Sequence, residues 1–149
     1  MWVPDASTEA LRDLVRAREA AKQDQLRARH RLSKFLLRTG QRPGAGVKPW
    51  TAPYMAWVRQ LRYAEAAQEW TRLDLLHEVE HMAERVKRLE EAIREAVELA
   101  PAGMQEAIRG LQGLRGIAEI SAVTVVAELG PGSAGLAPLA VISHTDGFE

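Results

Sequence analysis

The sequence predicts an all-α fold: a long antiparallel helical hairpin, or coiled coil, followed by a small helix-hairpin-helix-like unit and a disordered tail. Two long stretches, 9–38 and 54–100, contain neither Gly nor Pro, which permits long helices. Within the second stretch, apolar residues recur at steps of three and four, the spacing of one helix face. Aromatic residues make up 5% of the chain, which suits aliphatic helix packing better than a sheet core.

Composition sets the outer bounds of the prediction. A chain of 149 residues can bury one modest core, and nothing in its length demands two cores. Cysteine is absent, so disulfides, thiolate metal ligands and thiol nucleophiles are excluded. No apolar run approaches the roughly 20 residues that cross a bilayer, and the first residues do not read as a signal peptide. We therefore expect a cytoplasmic protein with no membrane segment.

The first predicted helix covers 9–38. Asp5, Ser7 and Thr8 precede it and offer side-chain oxygens for its N-terminus. Gly40 follows it, and the Pro- and Gly-rich stretch that comes next predicts a loop over about 40–54. We assign residues 1–100 to the hairpin that this loop connects.

The second predicted helix begins near 51–55 and runs unbroken to Ala100, a rod of about 65 Å at ~1.5 Å per residue. Its apolar seam needs an apolar partner. The first helix is shorter and can cover only part of this seam, so the remainder predicts a homodimer. The residues predicted to form this dimer or hairpin seam are Val79, Met82, Val86, Leu89 and Ile93.

Residues 101–130 predict a helix, a tight turn and a second helix. The helices are expected over 104–111 and 123–129, and Arg115, Gly116 and Ile117 lie in the turn. Such a turn can present backbone N–H groups to a nucleic-acid phosphate, with Arg115 adding charge. Because Ala118 stands where a second glycine is usual, an ordinary helical corner remains an alternative. Residues 131–149 show no periodicity, which predicts a disordered tail.

A local excess of positive charge is hidden by the formal net charge of zero. No acidic residue occurs from Gln25 to Trp50, whereas that stretch is rich in Arg and Lys. This pattern predicts a polyanion-binding face on the first helix; the alternative is a solvated face that pairs with acids of the second helix. The candidate nucleic-acid-binding residues are Arg27, Arg29, Arg31, Lys34 and Arg38.

Other residues with chemical potential have two interpretations. Trp50, Tyr54 and Trp57 either pin the loop onto the helices, which their position beside a turn favours, or stack on nucleic-acid bases. His77 and His81 match the spacing of a helical zinc-protease motif, but the seam places them on the outer polar face without a third ligand. We therefore predict no catalytic residue, no metal site and no cofactor.

Several separate blocks resemble, in their order, the central part of the Piv-related insertion-sequence transposases. The blocks are Trp2–Asp5, Thr8–Glu19, Lys34–Gly40, Trp50–Thr51, Leu111–Ile117, Thr124 and Ala127–Gly130. The last three resemble the start of that family's C-terminal transposase domain, which we place at residues 101–130. That family has a RuvC-like domain with four catalytic acids, and some members are directed by a bridge RNA.

The resemblance implies what the chain lacks as well as what it keeps. In the family, the acids precede the equivalent of Trp2, and the catalytic serine lies beyond the equivalent of Gly130. It therefore implies a truncated, non-catalytic transposase fragment that retains dimerising, nucleic-acid-binding helices. DNA and structured RNA are the expected partners. The alternative is a purely structural, oligomerising helical protein that binds no nucleic acid.

Overall fold

Five helices make up the part of the chain that the computed structural model describes, residues 5–113 and 118–130. They are α1 (Ala6–Arg38), α2 (Ala52–Gln60), α3 (Ala66–Glu98), α4 (Ala102–Gln112) and α5 (Glu119–Leu129). No strand occurs in these two ranges, so the all-α prediction is confirmed. The chain divides into two compact units, a terminal unit of Met1–Glu19 with Arg88–Glu149 and a central unit of Ala20–Lys87.

The terminal unit packs the beginning of α1 and the end of α3 around α4 and α5. Its buried core includes Leu11, Ile93, Leu111 and Val123. Arg12 donates from Nε to the carbonyl oxygen of Ala127 at 3.0 Å and thereby satisfies a carbonyl in the last turn of α5. A positive charge at that end also complements the helix dipole.

The central unit packs the later part of α1 against α2 and the beginning of α3. Its core consists of Ala28, Leu32, Phe35, Leu36, Tyr54, Val58, Leu76 and Val79. Asp24 pairs with Arg85 at 3.0 Å, whereas the ring of Phe35 contacts that of Tyr63 at 5.4 Å between centroids. Residue numbers thus rise along α1 as those of its partners fall, so these segments of the central unit run antiparallel.

The prediction of an unbroken helix from near Thr51 to Ala100 is wrong. Helix α2 ends at Gln60, and α3 begins only at Ala66. Leu61 leaves the helix with φ −57° and ψ 143°, an extended conformation. No Gly or Pro lies between these helices, so local propensity does not explain the break. We ascribe it to the side-chain contacts that surround the break.

Side-chain contacts hold the break at residues 61–65. Arg72, only 2% exposed, donates from Nη1 to the carbonyl oxygen of Val58 at 3.1 Å and also pairs with Glu69. Glu69 accepts a hydrogen bond from the backbone N–H of Tyr63 at 3.0 Å. The Tyr63 hydroxyl lies 2.6 Å from Oγ1 of Thr39. The carbonyl of Val58 and the N–H of Tyr63 are thus bonded by the side chains of the buried Arg72 and the half-buried Glu69.

The observed helix lengths differ from those that predicted a homodimer. Helices α1 and α3 contain 33 residues each, so the predicted mismatch in helix length is absent. The predicted seam is covered within the chain: Val79, Val86 and Ile93 are buried, and Met82 and Leu89 are half-buried. The homodimer therefore remains a prediction, without the uncovered seam that first suggested it.

The remaining predictions vary in outcome. The loop after α1 and the bounds of α4 agree with the sequence prediction to within a few residues. Helix α5 ends at Leu129 as predicted but begins earlier, at Glu119. The turn residues Arg115, Gly116 and Ile117 and the tail 131–149 lie outside the described residues. None of the helices within residues 5–113 and 118–130 combines the length and the hydropathy that a membrane span requires.

Candidate nucleic-acid interface

Charge follows the division of the chain into units. The central unit contains thirteen Lys and Arg residues against seven Asp and Glu. The terminal unit has the reverse, seven basic against thirteen acidic residues. The formal neutrality of the chain therefore arises from a basic central unit and an acidic terminal unit, and a polyanion is attracted to the former.

Four basic residues of the central unit lie on one face of α1. Successive spacings of four, three and four residues keep their side chains within a sector of about 60° along about 16 Å of helix. All four are exposed. We call this set the α1 basic stripe: Arg27, Arg31, Lys34 and Arg38.

Most of the stripe is free of protein partners. Arg27 pairs with Asp24 at 3.2 Å, an exposed i, i+3 contact of the kind that contributes little. Arg31, Lys34 and Arg38 have no ion pair or side-chain hydrogen bond within residues 5–113 and 118–130. These three residues therefore do not pair with acids of the second predicted helix within the part of the chain that the structure describes. Their charges are available to a ligand.

Arg29 is separated from this stripe. It is two residues from both Arg27 and Arg31, which places it on roughly the opposite side of the helix. Its guanidinium lies over the ring of Trp50, 5.3 Å from the centroid, and its Nε is buried without a hydrogen-bond partner. Desolvation lowers the pKa of Arg29 from its usual value. These features indicate a packing role within the central unit.

The aromatic residues pin the loop, as their position beside a turn favours. Tyr54 is 5% exposed, and its ring contacts those of Trp50 and Trp57 at 5.0 and 5.5 Å between centroids. All three pack in or against the core of the central unit. Trp50 adopts a φ of 64°, which is unfavourable for a bulky residue and is maintained by these contacts. Packed in this way, the three rings do not form a free platform for stacking nucleic-acid bases.

Sequence reasoning omitted two further cations from the candidate site. Arg42 and Lys48 lie in the loop after α1, and both are exposed. Both fall within the acid-free stretch from Gln25 to Trp50, which could have identified them. The loop therefore adds positive charge to the same unit as the α1 basic stripe.

The histidine pair lies on the surface of α3, where the seam had placed it. His77 and His81 are exposed, and their rings are stacked with centroids 6.4 Å apart. Across the described ranges, no group of three or more His, Cys, Asp or Glu side chains could hold a metal ion.

The other predicted phosphate site falls on Arg115, Gly116 and Ile117, outside the described residues. The helix that follows begins at Glu119, whose carboxylate lies 3.4 Å from Nε of Arg94. An acid in the first turn of α5 competes with phosphate for the positive end of the helix. The turn remains a prediction from the sequence.

Comparison with known proteins identifies transposases as relatives. The chain is 36% identical over 69 residues to y4qE of Sinorhizobium fredii (strain NBRC 101917 / NGR234), which is named as a transposase; the alignment covers 46% of this chain and 17% of that protein. It is 30% identical over 112 residues to the transposase for insertion sequence element IS1533 of Leptospira borgpetersenii, covering 72% of this chain and 32% of the relative.

The chain thus spans about a third or less of the relatives that it matches. Its similarity is to insertion-sequence transposases, as the resemblance predicted at the level of the broad class. No family model matches the chain. No solved structure matches it either.

Proposed function

We propose that this chain is an insertion-sequence transposase fragment that binds nucleic acid through the α1 basic stripe and does not itself catalyse strand transfer. The observation that carries the proposal is the set of exposed, largely unpaired cations at regular spacing on α1. Four such charges along about 16 Å of helix match the dense, regular charge of a nucleic-acid backbone. Similarity to transposases supports the same conclusion.

The proposal assigns the chain to the Piv-related subtype, on the ordered blocks of sequence described above. It also assigns the chain a non-catalytic role: within residues 5–113 and 118–130, no group of three or more His, Cys, Asp or Glu side chains could hold a metal ion for strand cleavage. Incubation with a duplex containing insertion-sequence ends and Mg²⁺ tests this role. Strand cleavage that EDTA abolishes would refute it.

Nucleic-acid binding is tested by fluorescence anisotropy of a labelled duplex at 50 mM salt. The test variant Arg31→Gln/Arg38→Gln removes two charges from the stripe. The control Arg88→Gln/Arg109→Gln removes two exposed arginines of the terminal unit, so net charge changes equally. We expect clear binding that the test variant weakens at least about tenfold and the control weakens much less. Absence of binding by the unmodified chain, or equal losses, would refute the proposal.

A homodimer is a separate hypothesis. Trp70 and Leu73 on α3 are 69% and 48% exposed, which leaves apolar surface for a second copy. Sedimentation equilibrium across a wide concentration range tests it, and a monomer mass throughout would refute it. Dimerisation without nucleic-acid binding would instead support the purely structural function.

A further inference from the structure

A strip of mainly apolar residues lies directly beside the α1 basic stripe. Leu26 and Leu37 are 50% and 67% exposed, and His30 between them is also exposed. Their spacings of four and seven residues keep them within a sector of about 40°, which begins some 40° from Lys34 on the helix surface. Phosphate binding would account for the four cations of the stripe, but not for two exposed leucines beside them. We call these three residues the α1 apolar strip.

The apolar strip has positive charge on its other side as well. Lys22, exposed, lies about 40° from Leu26 in the direction away from the basic stripe. Near the other end, Leu37 and Arg42 line the same cavity of about 510 Å³ together with Ser33, which lies on that same side of α1. The exposed surface of α1 in the central unit therefore has an apolar strip in its middle and the α1 basic stripe along one edge. Its other edge has Lys22 near one end and Arg42, from the loop after α1, near the other.

This arrangement is the one that a helix needs in a nucleic-acid groove. The major groove of B-form DNA is about 12 Å wide and admits an α-helix, with phosphates along both walls and base edges, including thymine methyl groups, on its floor. The α1 basic stripe can reach one wall, and Lys22 with Arg42 of the loop can reach the other, while the middle strip faces the floor. We infer that α1 enters the major groove of duplex DNA, with Leu26, His30 and Leu37 against the bases.

Other nucleic acids fit this surface less well. The major groove of an RNA duplex is deep and narrow, so side chains on a helix cannot reach its floor. Single strands are held by aromatic rings on which bases stack, and the tryptophans and Tyr54 of the loop region are packed against the core of the central unit. The inference rests on the proposed nucleic-acid binding and adds the class of ligand and the residues that face the bases.

The test compares three labelled ligands of one sequence at equal salt: a 20-base-pair DNA duplex, the corresponding RNA duplex and the single DNA strand. We expect the DNA duplex to bind about tenfold more tightly than either of the others. Methylation of guanine N7, a major-groove atom, should weaken binding of the DNA duplex. Equal affinity for the DNA and RNA duplexes, tighter binding of RNA or of the single strand, or indifference to N7 methylation would overturn the inference.

Variants then test the strip itself. Leu26→Gln/Leu37→Gln removes its apolar contacts and leaves every charge in place. The matched control, Leu99→Gln/Leu129→Gln, changes two exposed leucines of the terminal unit. We expect the first variant to lose at least about fivefold in affinity for duplex DNA, with the salt dependence unchanged, and the control to lose little. Equal affinities of the two leucine variants would overturn the inference. The proposed nucleic-acid binding fails on different results: no nucleic acid binds, or Arg31→Gln/Arg38→Gln loses no more affinity than its arginine control.

Discussion

Substitution of Arg72 by Met tests whether a buried side chain maintains the break between α2 and α3. Arg72 is 2% exposed and donates to the carbonyl oxygen of Val58 at 3.1 Å. Met keeps the length and the apolar part of the side chain but cannot donate. The Val58 carbonyl loses its charge-assisted hydrogen bond and keeps only the one from the backbone N–H of Leu61 at 3.4 Å, and the ion pair with Glu69 is lost as well. Such a loss costs about 1.5–3 kcal/mol. We expect Arg72→Met to lower the free energy of unfolding by that amount.

Urea denaturation followed by tryptophan fluorescence measures this effect, since Trp50, Trp57 and Trp70 all lie in the central unit. With a slope of about 1–3 kcal/mol per molar urea, the midpoint should fall by about 1 M. The control Arg88→Met changes an exposed arginine of α3, and we expect it to stay within about 0.5 kcal/mol of the unmodified chain. An Arg72→Met variant as stable as this control would show that Arg72 does not maintain the break.

Two further predictions concern stability. Leu32→Ala leaves a cavity at a fully buried position of the central core and should lower the free energy of unfolding by about 2–5 kcal/mol. Leu37→Ala, at a position 67% exposed, should lower it little. Equal urea midpoints for the two variants would contradict this. Hydrogen bonds from Arg72 and Arg16 lower the pKa of Glu69 and Glu128 from the usual 4.5. As the pH falls, these two carboxylates take up protons in the unfolded chain before they do so in the folded chain. The stabilisation is therefore complete above about pH 4.5 and is lost below it. In Glu69→Gln/Glu128→Gln, the melting temperature should fall less steeply between pH 5 and pH 3 than in the unmodified chain. An unchanged dependence of the melting temperature on pH would contradict this.

The sequence predicted the elements that local chemistry determines. Helix α1 ends at Arg38, and Gly40 follows with φ 72°, a conformation that glycine adopts readily. The break at 61–65 could not be predicted in this way. Leu61 and Ala64 are good helix formers, and the contact that interrupts them joins Arg72 to Val58, which no periodicity of the sequence indicates.

The candidate site was predictable in part. The acid-free stretch identified the cations, and spacing alone would have separated Arg29 from Arg27 and Arg31, since a step of two crosses the helix. That Arg29 covers Trp50 depends on the fold of the loop after α1. The division of charge between the two units likewise emerges only when distant parts of the chain are grouped by their packing.

The dependence of duplex binding on salt tests the central claim most directly. Three or four phosphate contacts predict a slope of log K against log salt of about −2.7 to −3.6, so affinity should fall about 40- to 150-fold between 50 and 200 mM. In Arg31→Gln/Arg38→Gln the slope should become shallower by about 1.8, while Arg88→Gln/Arg109→Gln keeps the original value. A slope near zero, or one that the stripe variant leaves unchanged, would contradict binding through the α1 basic stripe.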